Sequence, residues 1–207
     1  MPNPAGSSWL PLKWRVKLKP GETVLVLGAT GTSGKLAVQI AKLLGAGRVI
    51  AAGRNPEQLE AAKSLGADVT IRTDEPGKNL VEAFAAAAKG GIDIVLDYLW
   101  GAPTEALVAA LTGHEFTAEP HITRLVQIGS SAGPTLSLDA GALRSSGLEI
   151  YGSGGGSVPK HAIMEAVPQI LEQAARGKLK LEIKKVPLAD VEAEWNRKED
   201  RRVVFVP

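Results

Sequence analysis

Short apolar runs alternate with longer amphipathic ones along most of the chain. Thr23-Val24-Leu25-Val26-Leu27 is apolar at consecutive positions, which predicts a strand covered on both faces rather than one facing water. The next segment has Leu36, Ala37, Ile40, Ala41 and Leu44 at helical spacing and is closed by Gly45 and Gly47, so an amphipathic helix follows the strand. The alternation then recurs, with strands expected at 49–52, 69–71, 92–98, 125–128 and 148–151 and helices at 56–65, 76–89, 103–111 and 159–176. Strands separated by crossover-length helices fold as an α/β doubly wound parallel sheet, most simply in the order 3-2-1-4-5-6. Before this region, Ser8 is expected to cap a short helix over 8–18 that tolerates Pro11 in its first turn. After it, a tail over 181–207 predicts a strand at 183–186, a short helix near 188–195 and a last strand at 203–206. The mixed charges of 197–202 read as a solvated turn. The expected organisation is therefore 1–22 as an N-terminal segment, 23–180 as the doubly wound α/β domain and 181–207 as the tail.

Chemistry enters where the first strand meets its helix. Gly28-Ala29-Thr30-Gly31-Thr32-Ser33-Gly34 occupies that turn. Backbone N–H groups at a helix N-terminus bind a diphosphate, and glycines allow it to come close. Gly31 is expected to be the point of closest approach and Gly34 to let the helix pack on the strand. Thr30, Thr32 and Ser33 add hydroxyl donors. A phosphate-binding loop of the phosphoryl-transfer type needs four residues between its glycines and a Lys-Ser or Lys-Thr pair, whereas five residues separate Gly28 from Gly34 and Leu36 follows Lys35. At the end of the second strand, where NAD-binding domains present a carboxylate to the ribose, the chain has Gly53-Arg54-Asn55. A guanidinium without a neighbouring acid favours the 2′-phosphate of NADP(H).

Composition narrows the remaining possibilities. The 207 residues suit one well-buried domain, and a net charge of +2 points to neither nucleic acid nor an anionic membrane as the main partner. With no cysteine and with His114, His121 and His161 outside any i, i+4 pairing, disulfides, thiolate sites and a zinc centre are not expected. The N-terminus has no basic segment followed by an apolar one, and no apolar stretch approaches the roughly 18 residues that span a bilayer. A cytoplasmic protein is the expectation.

Several segments together resemble one family. They are the run Lys19-Pro20-Gly21-Glu22-Thr23-Val24-Leu25-Val26-Leu27-Gly28, the glycine turn, Leu65-Gly66-Ala67-Asp68, Asp93-Ile94-Val95-Leu96-Asp97, Gly129-Ser130 and Arg202-Val203-Val204. In this order they are similar to the medium-chain dehydrogenase/reductase superfamily, in its zinc-free, quinone oxidoreductase-like branch, with a Rossmann-type nucleotide-binding domain. The resemblance implies that Gly31, Thr32 and Gly34 touch the diphosphate. It likewise assigns Gly53, Arg54 and Arg72 to the adenosine end, and Tyr98, Gly129 and Ser130 to the nicotinamide side. It also implies a homodimer joined across the edge of the last strand. Members of the family carry a GroES-like catalytic domain before the segment that opens this chain, and fold their C-terminal segment onto it.

The resemblance therefore implies an NADP(H)-dependent oxidoreductase acting on quinone, enone or carbonyl groups, with this chain alone expected to be inactive. Two other readings stand beside it. One is a catalytically silent dinucleotide-binding or sensor module. The other is an NmrA-like short-chain dehydrogenase, against which neither Tyr98 nor Tyr151 has a lysine four residues later.

Overall fold

A computed structural model describes residues 2–75, 77–112, 121–197 and 201–207. Six parallel strands form one sheet in the order β3-β2-β1-β4-β5-β6: β1 (Thr23–Leu27), β2 (Arg48–Gly53), β3 (Val69–Arg72), β4 (Ile94–Asp97), β5 (Thr123–Gln127) and β6 (Leu148–Gly152). The helices are α1 (Pro2–Leu10), α2 (Thr32–Leu43), α3 (Pro56–Ser64), α4 (Gly77–Ala88), α5 (Gly101–Leu111), α6 (Ala140–Arg144), α7 (Lys160–Ala175) and α8 (Val191–Glu194). This is the expected strand order, and each expected strand of the sheet is present within a few residues of its place.

β1 shows why an apolar run gives a central strand. All five of its residues are buried, and alternate side chains serve two different cores. Val24 and Val26 pack with α2 residues Leu36, Ala37 and Ile40 and with Ala166 and Ile170 of α7. Leu25 and Leu27 face the other way, with Leu80 and Phe84 of α4 and Leu107 of α5. Fully burying each such Leu, Ile or Phe contributes about 1.5–3 kcal/mol. Val24 lies between Val49 of β2 and Ile94 of β4 in register, so the strand is also hydrogen-bonded on both sides.

The N-terminal segment differs from expectation. The helix begins at Pro2 rather than at Ser8, and Ser8 lies inside it, buried, with its hydroxyl donating to the Ala5 carbonyl at 3.1 Å. Ala5, Ser8, Trp9 and Leu12 are all buried, an apolar stripe at helical spacing that packs on α2 and α7 and outweighs the capping preference of serine. Pro2 and Pro4 are tolerated because first-turn N–H groups have no helical acceptor. Pro11 then opens a wider, π-type turn over Pro11–Arg15, closed by Val16 N–H to the Pro11 carbonyl at 2.9 Å. The expected helix start at Pro76 and the histidine at 114 lie outside the described residues, as do positions 198–200 of the charged run.

Two features go beyond the sequence pattern. α6 is a short helix capped by Asp139, whose carboxylate accepts from Gly141 N–H at 2.7 Å. The tail forms its own two-stranded sheet, in which β7 (Ile183–Pro187) runs parallel to β8 (Arg202–Val206). Val186 is buried in it, whereas Trp195 stays 71% exposed and stacks on Phe205 at 6.1 Å. The start of the tail is pinned to α2: the Gln39 amide donates to the Lys180 carbonyl at 2.9 Å and accepts from Lys180 N–H at 2.7 Å.

Candidate functional site

A cleft of about 360 Å³ opens at the carboxyl ends of the strands, beside the point where the sheet order reverses between β1 and β4. It is lined by Gly28, Thr30, Gly31, Thr32, Ser33, Gly34, Gly53, Arg54, Thr73, Tyr98, Leu99 and Ser131. Open α/β sheets bind ligands at this crevice.

The floor is the glycine turn. Gly28 leaves β1 with φ +90°, a left-handed conformation that favours glycine, and its N–H and that of Ala29 both donate to the Ala52 carbonyl at 2.9 Å. Gly31 directly precedes α2 and offers no side-chain cap, so the first-turn N–H groups of Thr32, Ser33 and Gly34 remain donors for an anion. A Cβ on Gly34 would lie 2.1 Å from the Gly28 carbonyl oxygen. Glycine there is what allows α2 to sit against the turn. A Cβ on Gly53 would lie 2.5 Å from the Thr30 methyl, so the end of β2 approaches the turn only because it too is glycine. Arg54 follows and makes no salt bridge among the described residues.

The opposite wall hangs on one buried carboxylate. Asp97, at the end of β4, is fully buried; one oxygen accepts from Leu99 and Trp100 N–H at 2.8 and 2.9 Å and the other from the Thr104 hydroxyl at 2.7 Å. Burial pushes this carboxyl above its ordinary range, and the three donors only partly offset it. The turn it holds is strained. Trp100 sits at φ 57°, ψ −171°, a region essentially reserved for glycine. The loop after β5 is fastened to this turn: the Ser131 N–H and hydroxyl donate to the Tyr98 carbonyl at 3.2 and 2.9 Å, and Ala132 N–H to that of Leu99 at 2.8 Å.

Nine of the twelve residues anticipated from sequence therefore meet at the cleft, and three are placed otherwise. Gly129 and Ser130 do not line it: a Cβ on Gly129 would lie 2.9 Å from the Tyr98 carbonyl oxygen, and it is Ser131 that reaches the cleft. Arg72 lies beside Gly53 in register, but its guanidinium is taken by Asp74 at 3.1 and 2.7 Å, with Glu75 at 3.9 Å. Tyr98 lines the cleft, yet its hydroxyl is engaged by that of Ser7 at 3.1 Å, and burial pushes the phenol up to about 12. Thr73, Leu99 and Ser131 are missed by the sequence pattern. Each follows the end of a strand by one to four residues, and that position beyond strand ends is the signal that identifies them.

Residues 34–172 match the zinc-binding dehydrogenase family. A "Probable NADPH-dependent quinone reductase" of Emericella nidulans is 33% identical over 219 residues, covering 99% of this chain and 60% of the relative. An NAD-dependent alcohol dehydrogenase of Sulfolobus acidocaldarius is 31% identical over 176 residues, covering 82% of this chain and 44% of the relative. Among solved structures, the quinone oxidoreductase of Thermus thermophilus, determined also in complex with NADPH, superposes with a TM-score of 0.72 at 30% identity, over 93% of this chain and 58% of that one. The chain thus spans no more than 60% of the length of these proteins. From strand order, glycine turn and relatives together, the chain belongs to the zinc-binding dehydrogenase family, as a quinone oxidoreductase-like nucleotide-binding domain of the medium-chain dehydrogenase/reductase superfamily.

Proposed function

We propose that the cleft binds NADP(H) and that the chain is the nucleotide-binding part of an oxidoreductase that passes hydride to a quinone, enone or carbonyl substrate. The observation that carries the reading is Arg54, a cation without a salt bridge among the described residues, at the cleft end of β2 where a carboxylate would select NAD(H). The NADPH named for two of the relatives supports it, although another is named for NAD. When bound, NADPH supplies the hydride. Gly31, Thr32, Ser33 and Gly34 would hold the diphosphate through first-turn N–H groups and hydroxyls, Gly53 and Arg54 the adenosine end, and Tyr98, Leu99 and Ser131 the nicotinamide side.

Calorimetric titration with NADPH and NADH tests the assignment. Tighter NADPH binding is expected, and Arg54→Glu should weaken it by about 1–3 kcal/mol, since a charge-assisted bond becomes a repulsion. Equal affinities in the wild type would overturn the reading.

A second reading is a dinucleotide-binding module without turnover, for which the same cleft would serve. Quinone-dependent NADPH oxidation at a rate of tens per second would dispose of it. We further propose assembly as a homodimer across β6, which pairs only with β5 among the described strands and presents its other edge. Light scattering at micromolar concentration should give twice the chain mass.

A further inference from the structure

Beside α1 lies a second cavity, of about 390 Å³, lined by Ser7 and Leu10 of that helix, Ile128 just past β5, Ser153 and Gly154 just past β6, and Ile163 of α7, among others. No charged side chain among the described residues lines it. Because β5 and β6 follow β4 in the sheet, this cavity continues the crevice beyond the cleft. In doubly wound sheets a dinucleotide lies across the crevice, each half of the fold serving one nucleotide. The cleft, at about 360 Å³, is near the lower end of the roughly 300–1,000 Å³ typical of small-molecule sites, and suits one such half better than two.

One pair of hydroxyls stands where the two spaces meet. Tyr98 lines the cleft, Ser7 lines the cavity, and their oxygens are 3.1 Å apart. The direction of this bond follows from the next one. Ser7 donates its single proton to the Pro4 carbonyl at 2.8 Å, so it is Tyr98 that donates to Ser7. Burial pushes the phenol up to about 12, which keeps that donor protonated through the neutral range. The Tyr98 backbone has no room to yield: its N–H donates to the Leu27 carbonyl at 3.1 Å, its carbonyl accepts from Ser131, and Gly28 and Gly129 crowd against it. The side chain alone can turn, and one neutral hydrogen bond holds its hydroxyl, an interaction strong enough to set a resting position and weak enough for a ligand to displace.

We propose that the Tyr98–Ser7 hydroxyl pair is a latch between the cleft and the apolar cavity, and that the nicotinamide half of a bound dinucleotide must open it to be seated. The inference rests on the NADP(H) reading above and adds a regulatory step to the same site. Binding then has two stages. The adenosine half docks first on the glycine turn and Arg54, which lie short of Tyr98 in the cleft. The Tyr98 side chain next leaves Ser7, and the second half enters. Closure lowers the apparent affinity by the fraction of molecules that are latched, and it does so only for ligands long enough to pass Tyr98.

The test is stopped-flow mixing of the 207-residue chain and its variants with NADPH and with 2′,5′-ADP, which carries the adenosine half and its phosphate but no nicotinamide. The wild type should bind 2′,5′-ADP in one phase and NADPH in two, the second reaching a rate that no longer rises with concentration. Ser7→Ala should speed that second phase by about threefold to tenfold, the range one neutral hydrogen bond allows, and should change 2′,5′-ADP binding by less than about twofold. Tyr98→Phe should act alike, and Ser7→Thr, which keeps the hydroxyl, should retain the wild-type rate. If Ser7→Ala does not fold, Tyr98→Phe decides alone. A single NADPH phase in the wild type, a second phase that neither variant speeds, or a variant that speeds both ligands equally overturns the latch. Where NADPH still binds more tightly than NADH, any of these leaves the NADP(H) reading standing. A preference for NADH overturns that reading alone, and the same variants then decide the latch with NADH and 5′-AMP. A wild type that binds none of these ligands overturns both.

Discussion

The two walls of the cleft are built on opposite principles. The wall formed by the glycine turn and the end of β2 is made by omission: Gly34 and Gly53 keep side chains out so that backbone and hydroxyl groups can crowd together. The wall beyond β4 is made by addition, with Asp97 gathering three donors in the core and forcing Trp100 into a glycine-like conformation. The first wall can be disturbed by adding an atom and the second by removing one. A ligand site can thus be preorganised either by space or by tethering, and the two differ in how mutation damages them.

Removing the tether should have the largest effect. Asp97→Ala leaves two backbone N–H groups and the Thr104 hydroxyl without their acceptor, and a loss of about 3 kcal/mol or more in urea unfolding is expected. A loss under about 1 kcal/mol would mean that something else holds this wall. Filling the other wall comes next. Gly34→Ala should destabilise by about 1–3 kcal/mol, because α2 must move off the Gly28 carbonyl, and it should abolish nucleotide binding in the same preparation. Retained binding would show that the turn has slack.

Trp100 sharpens the comparison further. In most exposed sites alanine is more stable than glycine, but at φ 57°, ψ −171° the order should invert, with Trp100→Gly more stable than Trp100→Ala by about 1 kcal/mol. Equal melting temperatures would remove the claim of strain. The smallest effect is on pH dependence. Burial raises the Asp97 carboxyl in the folded state, so from the ordinary carboxyl value up to that raised value the folded chain keeps a proton the unfolded chain has released. Stability attributable to Asp97 therefore falls as pH rises through that window. Asp68 works in the other direction. Although burial opposes it, the Lys42 ammonium at 2.6 Å and Val49 N–H hold its carboxyl low, so its contribution is present above the ordinary value and lost as the pH falls. The difference between wild type and Asp97→Asn across acidic pH isolates the first slope.

This division also explains what the sequence reveals. Omission is legible: glycines at fixed offsets between an apolar run and an amphipathic helix announce the turn, and a missing acid beside Arg54 announces its charge preference. The β1 run declares its own burial on both faces. Tethering is not legible, because nothing local says that Asp97 looks inward rather than toward a ligand, or that Ser131 and not Ser130 reaches the cleft. Arg72 is misread for a related reason, since an arginine near a strand end looks free until Asp74 is seen to hold it. The N-terminal helix starts earlier than its serine suggests because a capping preference of about 1 kcal/mol is overruled by the burial of Trp9 and Leu12.

The double hydrogen bond between Gln39 and Lys180 has a consequence for covalent continuity. It fastens the last stretch of chain to the helix that follows the first strand, 141 positions away in sequence, while α7 lies against α1 through Trp9, Ala166 and Ile170. The exposed glycine loop around Gly154, Gly155 and Gly156 leads from β6 to α7, so both fastenings hold the segment after the loop to the segment before it. A protease that cuts there would sever the polypeptide without releasing either piece, so the nicked protein should migrate as two bands under denaturing conditions and as one particle in its native buffer.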